Sequence, residues 1–341
     1  MRKAVETDPI RSLGMICGVM AILAGTVSPA DAYLHFNVRS GTRTLTVKWT
    51  RTPVRYFVNN WSVAGVTASQ LQSAVAQAFS IWQAVSTASI SFEFAGFVNA
   101  LPFDDDGAST VGFLDRPQMQ NVLGATGFTI DVITGEIVEA DIFFNSAFAW
   151  SVSDAGDPSR FDLLSIAVHE IGHLVGLGHS ALGETELLPT GRRVLGAEAV
   201  MFPVAFARGS LAGRTLKADD IAGVSDLYPD GPFRSRTGSI EGTVTLNGRG
   251  VFGAHVVAFN VRTKQLVGAF TMNRSGEFLI SGLEPGPHLL RVEPLDDAAI
   301  DAFFSQASTV DLDFGTTFAS QASIVPRGGT TGGISVAVLP K

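Results

Sequence analysis

Residues 168–180 of this 341-residue chain read VHEIGHLVGLGHS and contain three of its six histidines. On a helix, His169 and His173 lie one turn apart on one face, where two imidazoles can reach one zinc ion at about 2.0–2.1 Å each. A third imidazole, His179, requires the chain to turn back. Gly176 can provide that turn, because glycine adopts left-handed backbone conformations readily. These histidines are candidate ligands of one catalytic zinc that keeps a fourth position for water.

Glu170 carries the one carboxylate of this segment. It cannot reach the metal from the face that His169 uses, but it can reach a zinc-bound water, accept its proton and pass it to a departing amine. We therefore predict that Glu170 is the general base of a hydrolytic reaction. The short pattern H-E-x-x-H also occurs by chance on ordinary helices, whereas the addition of Gly176 and His179 makes a chance match rare.

The flanking sequence predicts the elements that must position these residues. Apolar residues at three- to four-residue spacing indicate a helix over residues 68–85, capped by Thr67 or Ser69, and a second helix from near Phe161. Alternating runs indicate strands at 43–49, 54–58, 90–97 and 137–144. This order of strands and helices predicts an α+β or α/β domain with a mixed sheet.

Beyond Tyr228 the helical patterns disappear. A turn-rich connection at 229–236 is followed by short alternating runs, separated by Gly, Pro and Asn, at 240–246, 255–260, 266–272, 277–280, 288–292 and 334–339. Such a series predicts an all-β sandwich. We therefore expect one domain over residues 33–232 and a second over residues 237–341.

The histidine segment resembles the metzincin metallopeptidases, and Ser180 after the third histidine is similar to the matrixin branch, which includes the matrix metalloproteinases. Residues 199–203, AVMFP, are similar to the Met-turn of that family. The resemblance covers residues 43–229. It implies the metzincin fold, in which a twisted mixed sheet flanks the active-site helix, and a zinc metalloendopeptidase that acts on proteins or peptides. It also implies that Met201 packs beneath the three imidazoles.

Other residues carry less specific signals. The resemblance suggests residues 124–126, Gly-Ala-Thr, as part of the edge strand along which substrate lies, the alternative being an ordinary loop. The long segment 180–200 is expected to border the cleft. Asp219 and Asp220 are read as charges at a helix start. One zinc is expected, since no further histidine cluster is present. Calcium could bind the acidic turn 104–106, whose alternative is a solvated turn.

The C-terminal region resembles carboxypeptidase regulatory-like or transthyretin-like β-sandwich modules, through GSIEGTV at 238–244, NRSGEF at 273–278 and GLEPG at 282–286. Such a module could be a spacer, stabilise the protein, or bind a protein or surface partner. A second hypothesis for the whole chain is therefore an exported surface-binding or adhesive protein whose metal site is vestigial. A third hypothesis concerns the substrate of the peptidase, which could be cell-wall peptide rather than protein.

Residues 1–32 predict a signal peptide, with a charged start, an apolar run at 13–27 and Ala-Asp-Ala before Tyr33. The run is shorter than the roughly 20 residues that span a membrane, although an uncleaved anchor is the alternative. We expect a secreted, extracellular protein, with periplasm or cell surface left open, and no membrane span after cleavage. The net charge of −8 argues against nucleic acid as a partner.

Overall fold

The computed structural model describes residues 2–3, 16–19, 35–104, 106–119, 121–189, 191–304 and 309–341. The predicted signal peptide lies outside these residues, apart from the fragments Arg2–Lys3 and Ile16–Val19. Asp105 of the acidic turn also lies outside them. Within the described residues, no helix has both the length and the apolar character needed to cross a membrane.

The part of the chain before residue 237, here called the N-terminal part, combines strands and helices. Its strands are Arg2–Lys3 (β1), Ile16–Val19 (β2), Asn37–Ser40 (β3), Arg43–Thr46 (β4), Val54–Asn59 (β5), Phe92–Val98 (β6), Thr110–Leu114 (β7), Val122–Asp131 (β8), Ile137–Asn145 (β9), Trp150–Ser151 (β10), Phe161–Asp162 (β11), Gly183–Leu188 (β12) and Gly191–Ala197 (β13). Its α-helices are Ala68–Gln83 (α1), Leu163–Leu174 (α2), Ala218–Leu227 (α3) and Phe233–Arg236 (α4).

One mixed sheet frames the N-terminal part. Its strand order is β8-β9-β7-β5-β6, with the fragments β1 and β2 paired along the other side of β8. Strands β5, β6, β7 and β9 run parallel, whereas β8 runs antiparallel to β9. Residues 124–126 pair with Phe144, Phe143 and Ile142 of β9, so they belong to a strand and not to a loop.

Helix α1 is defined by its cap and by one buried face. Thr67 and Gln70 form a reciprocal capping box, in which each side chain accepts the backbone N–H of the other. The buried residues recur at helical spacing and include Leu71, Val75, Phe79 and Trp82. The Trp82 Nε1 donates to the carbonyl of Val168 at 2.8 Å, which joins α1 to α2.

Helix α2 carries the histidine motif and begins at a strongly bonded cap. The carboxylate of Asp162 accepts the N–H of Ser165 at 2.9 Å. Both of its oxygens also bind the guanidinium of Arg214, at 2.8 and 2.6 Å. This buried carboxylate therefore fixes the first turn of the helix and ties it to the following chain.

The same helix ends where the sequence predicted. Gly176 has a φ of +103°, its N–H donates to the carbonyl of His173 at 2.8 Å, and the N–H of Leu177 donates to Gly172 at 3.0 Å. This is the bonding of a Schellman ending. A Cβ at Gly176 would lie 2.6 Å from the carbonyl oxygen of Val47, so glycine is required both by conformation and by space.

The chain beyond residue 237, here called the C-terminal part, is β-rich. Its strands are Gly238–Leu246 (β14), Arg249–Gly250 (β15), His255–Asn260 (β16), Leu266–Phe270 (β17), Glu277–Leu283 (β18), Gly286–Glu293 (β19), Thr317–Phe318 (β20), Ser323–Val325 (β21) and Thr330–Val338 (β22). They form two sheets, β15-β14-β18 with β22 on β14, and β17-β16-β19-β20 with β21 on β19. Both sheets contribute to one apolar cluster, which is the layering expected of a sandwich.

The two parts share an interface. Leu182 and Ala199 of the N-terminal part pack with Val257 of the C-terminal part. The carboxylate of Asp219, at the start of α3, accepts the N–H of Gly268 at 2.8 Å. The division into two domains stays a prediction. The contacts above join the two predicted domains.

Candidate metal centre

The three predicted ligands converge on one point. Helix α2 presents His169 and His173, and the turn at Gly176 returns the chain so that His179 faces them. One nitrogen of each imidazole lies within 4.8 Å of the corresponding nitrogens of the other two. Across the described residues, this is the one group of three or more histidine, cysteine or acidic side chains with metal-binding geometry.

A backbone carbonyl holds the Nδ1 of each imidazole. His169 Nδ1 lies 2.7 Å from the oxygen of Val200, and His173 Nδ1 lies 2.8 Å from that of Leu177. His179 Nδ1 lies 2.7 Å from the oxygen of Ala302. Because a carbonyl only accepts, each Nδ1 carries the hydrogen, and Nε2 is the metal-facing nitrogen in all three rings.

The electrostatics of the site suit a cation. Burial lowers the pKa of His169 to about 3 and holds the pKa of His173 well below its usual range, so both rings are neutral. Their Nε2 atoms lie 3.0 Å apart with lone pairs facing each other. Ligand atoms at 2.0–2.1 Å from a tetrahedral zinc are separated by roughly 3.3 Å. The donor set therefore fits a zinc ion.

Glu170 lies beside the histidines with its two oxygens in different surroundings. Its Oε2 accepts the hydroxyl of Thr126 on β8 at 2.8 Å. Among the described residues none donates to its Oε1, and a Cβ on Gly124 would lie 3.2 Å from that atom. Burial raises the pKa of Glu170 to about 8 in the metal-free chain. The segment 124–126 thus contacts the candidate base directly.

Met201 lies against helix α2. It is buried, and its side chain abuts the backbone of α2 at Gly172, between the two helical histidines. Asp220 holds the turn around it, because its carboxylate accepts the N–H groups of Val200 at 2.9 Å and Met201 at 3.2 Å. The sequence predicts a helix-start charge at Asp220 but not these bonds, because they join residues far apart in the chain.

A family comparison agrees with this geometry. The sequence profile described as Matrixin matches residues 48–229. The chain belongs to the matrixin family.

This matrixin is similar to several named proteins. It is 27% identical over 156 residues to Karilysin of Tannerella forsythia, covering 42% of this chain and 29% of that protein. It is 28% identical over 233 residues to Metalloendoproteinase 1-MMP of Arabidopsis thaliana, covering 63% and 53%. It is 31% identical over 180 residues to Metalloendoproteinase 1 of Glycine max, covering 47% and 46%. The matrixin thus spans 29% to 53% of the length of these relatives.

The segment 180–200 of this matrixin folds into the antiparallel hairpin β12–β13. The residues at its end, Ala197 and Ala199, line a cavity beside His169. The other lining side chains are mainly apolar and include Phe161, Ile166, Val200, Phe202 and Val204. The segment therefore borders the cleft, as expected from the sequence.

The acidic turn is bonded to the protein itself. Asp141 accepts the N–H groups of Phe103 and Thr110, each at 2.6 Å, and Glu139 accepts that of Gly107 at 3.0 Å. These carboxylates pin the turn to β9. Calcium binding there stays a prediction.

Proposed function

We propose that this matrixin is a zinc-dependent endopeptidase with His169, His173 and His179 as ligands and Glu170 as general base. The observation that carries the proposal is the convergence of these imidazoles, each with its Nδ1 held by a carbonyl. Zinc bound there would lower the pKa of a coordinated water to about 7 and polarise the scissile carbonyl.

Glu170 performs the proton transfers. Thr126 holds Oε2, which leaves Oε1 facing the space beside Gly124. From there Glu170 accepts a proton from the attacking water and later returns it to the departing amine. Zinc beside Glu170 would favour its ionised form, which is the form that accepts a proton.

Strand β8 offers the place for an extended substrate. It is the antiparallel strand beside α2, and a peptide can add to such a strand through main-chain hydrogen bonds. The fragment β2 pairs with Val122, Ala125 and Thr126 along this strand. Since β2 lies within the predicted signal peptide, cleavage before Tyr33 would free the strand. The cavity beside His169 would then receive an apolar side chain of the substrate.

The test uses the chain from Tyr33 onwards with a quenched fluorescent peptide library and with cross-linked cell-wall peptides. Glu170→Gln should retain one zinc, while kcat/KM should fall about 10²- to 10⁴-fold, which is the usual contribution of a general base. Glu139→Gln is the matched control, because Glu139 is also a buried glutamate, and it accepts the N–H of Gly107 in the turn.

A wild-type protein that holds one zinc yet cleaves no peptide of either kind would count against this proposal. So would full activity in Glu170→Gln. The first result would favour the hypothesis of a surface-binding protein with a vestigial metal site. Detection of the processed chain outside the cell would test the proposed secretion.

A further inference from the structure

One turn of the C-terminal part contacts a candidate metal ligand. Ile300–Ala302 forms a 3-10 helix, and the carbonyl of Ala302 accepts the Nδ1 hydrogen of His179. These two residues are 123 positions apart in the chain. The carbonyls that hold His169 and His173 come instead from the Met-turn and from the end of α2.

Phe303 adds a second contact to the same ligand. Its ring centroid lies 6.4 Å from that of His179, with the planes at 81°, so the two rings meet edge to face. The imidazole of His179 is therefore held by a carbonyl at Nδ1 and by an aromatic ring at its side. Both come from the C-terminal part.

The turn itself is fixed on two sides. Phe303 packs on Phe270 of β17 with centroids 5.6 Å apart. A few residues earlier, the carboxylate of Asp297 accepts the N–H of Thr185 at 2.6 Å, and its carbonyl accepts the hydroxyl of the same threonine. Strand β12 carries Thr185, so the turn is anchored to the hairpin beside the cleft as well as to the sheet behind it.

We propose that the turn 300–303 is a positioning element of the metal centre. The carbonyl of Ala302 fixes the tautomer and orientation of His179. The ring of Phe303 holds the imidazole and the turn in fixed relative positions. This inference rests on the proposed function, since it takes zinc as the ion. It gives the C-terminal part a role in zinc affinity, which an independent module would not have.

The physical reason is that an outer acceptor orients a ligating histidine and raises its basicity. Loss of such a partner lowers metal affinity about 10- to 100-fold. Phe303→Ala removes the ring edge and releases the turn, so the dissociation constant for zinc should rise by at least about tenfold. Phe303→Leu, which keeps apolar packing, should show a smaller increase.

Phe252→Ala is the matched control. Phe252 is half-buried in the same apolar cluster as Phe303 and packs against Phe304 at 5.3 Å, and its side chain lies outside the ring contacts of His179. It should lower the melting temperature of the zinc-free protein about as much as Phe303→Ala does. Its dissociation constant for zinc should stay within about twofold of the wild type.

The experiment measures zinc affinity by competition with a chromogenic chelator, and melting temperature with and without zinc, on the chain from Tyr33 onwards. Equal zinc affinity in wild type and both Phe303 variants would overturn the inference while leaving the endopeptidase proposal intact. A similar loss in Phe252→Ala would also overturn it, because the effect would then be general destabilisation. If Phe303→Ala does not fold, the comparison rests on Phe303→Leu against Phe252→Ala. A wild-type chain that binds no zinc would overturn both proposals.

Discussion

In this matrixin a different backbone carbonyl fixes the tautomer of each of the three candidate ligands, His169, His173 and His179. Spacing selects the side chains, but the carbonyls of Val200, Leu177 and Ala302 decide which nitrogen carries the hydrogen. The surroundings of Glu170 also come from distant residues, because Thr126 binds one of its oxygens and Gly124 lies beside the other. Apart from Leu177, these partners are remote in the chain from the side chains that they hold.

Gly172 gives a residue-scale test of the packing of Met201. A Cβ at this position would overlap the Met201 sulfur and lie 2.9 Å from Trp82, so Gly172→Ala should destabilise the fold by about 3 kcal/mol. Gly196→Ala is the control, since nothing lies within 4 Å of its added Cβ. Chemical denaturation measures both.

The double variant Gly172→Ala with Met201→Ala shows whether the overlap is the cause. Removing the Met201 side chain gives the new methyl group room, so the double variant should be at least about 1 kcal/mol more stable than the sum of the single effects. Simple additivity would contradict the packing of Met201 against Gly172.

At the scale of elements, α2 is a short helix with firmly determined ends. Gly176 ends it, and Asp162 with Arg214 begins it. The hairpin β12–β13 is different, because exposed and half-buried residues do not alternate along β12. Its sequence therefore lacks a clear period, and the strands were not predicted.

Asp162→Ala tests the start of α2. The change removes the cap and leaves the largely buried guanidinium of Arg214 without its main partner, so unfolding free energy should fall by about 3 kcal/mol. Asp154→Ala is the control. Asp154 contacts the same guanidinium at 3.6 Å from a fully exposed position, so its loss should lower the unfolding free energy far less than the loss of Asp162 does. Equal losses in the two variants would contradict the role of Asp162.

At the scale of the whole molecule, the interface of the two parts carries a buried carboxyl group. Burial raises the pKa of Asp219 to about 7 from 3.8, and its neighbour Asp220 is raised to about 6. The folded chain binds these protons more tightly than the unfolded chain. Their contribution to stability therefore falls as pH rises from about 4 to about 7, and is constant above that.

Asparagine does not ionise, so Asp219→Asn should remove the loss of stability that the ionisation of Asp219 causes as pH rises. The loss that Asp220 causes should remain. The amide oxygen can still accept the N–H of Gly268. Relative to wild type, the variant should gain about 3 kcal/mol of unfolding free energy between pH 5 and pH 8. Denaturation curves across that range provide the measurement, with the exposed Asp296 changed to Asn as control. A difference that does not vary with pH would show that Asp219 ionises normally in the folded protein.

Helix α2, the turn at Gly176 and the convergence of His169, His173 and His179 could be predicted from the sequence, because they follow from spacing and backbone conformation within a few turns of chain. It also predicted helix α1, strand β9 and the β-rich C-terminal part from local periodicity. The bonds of Asp220 to the Met-turn, the burial that raises the pKa of Glu170, and the bond between Ala302 and His179 all depend on the folded chain. Those contacts join distant segments, and no local pattern of residues encodes them.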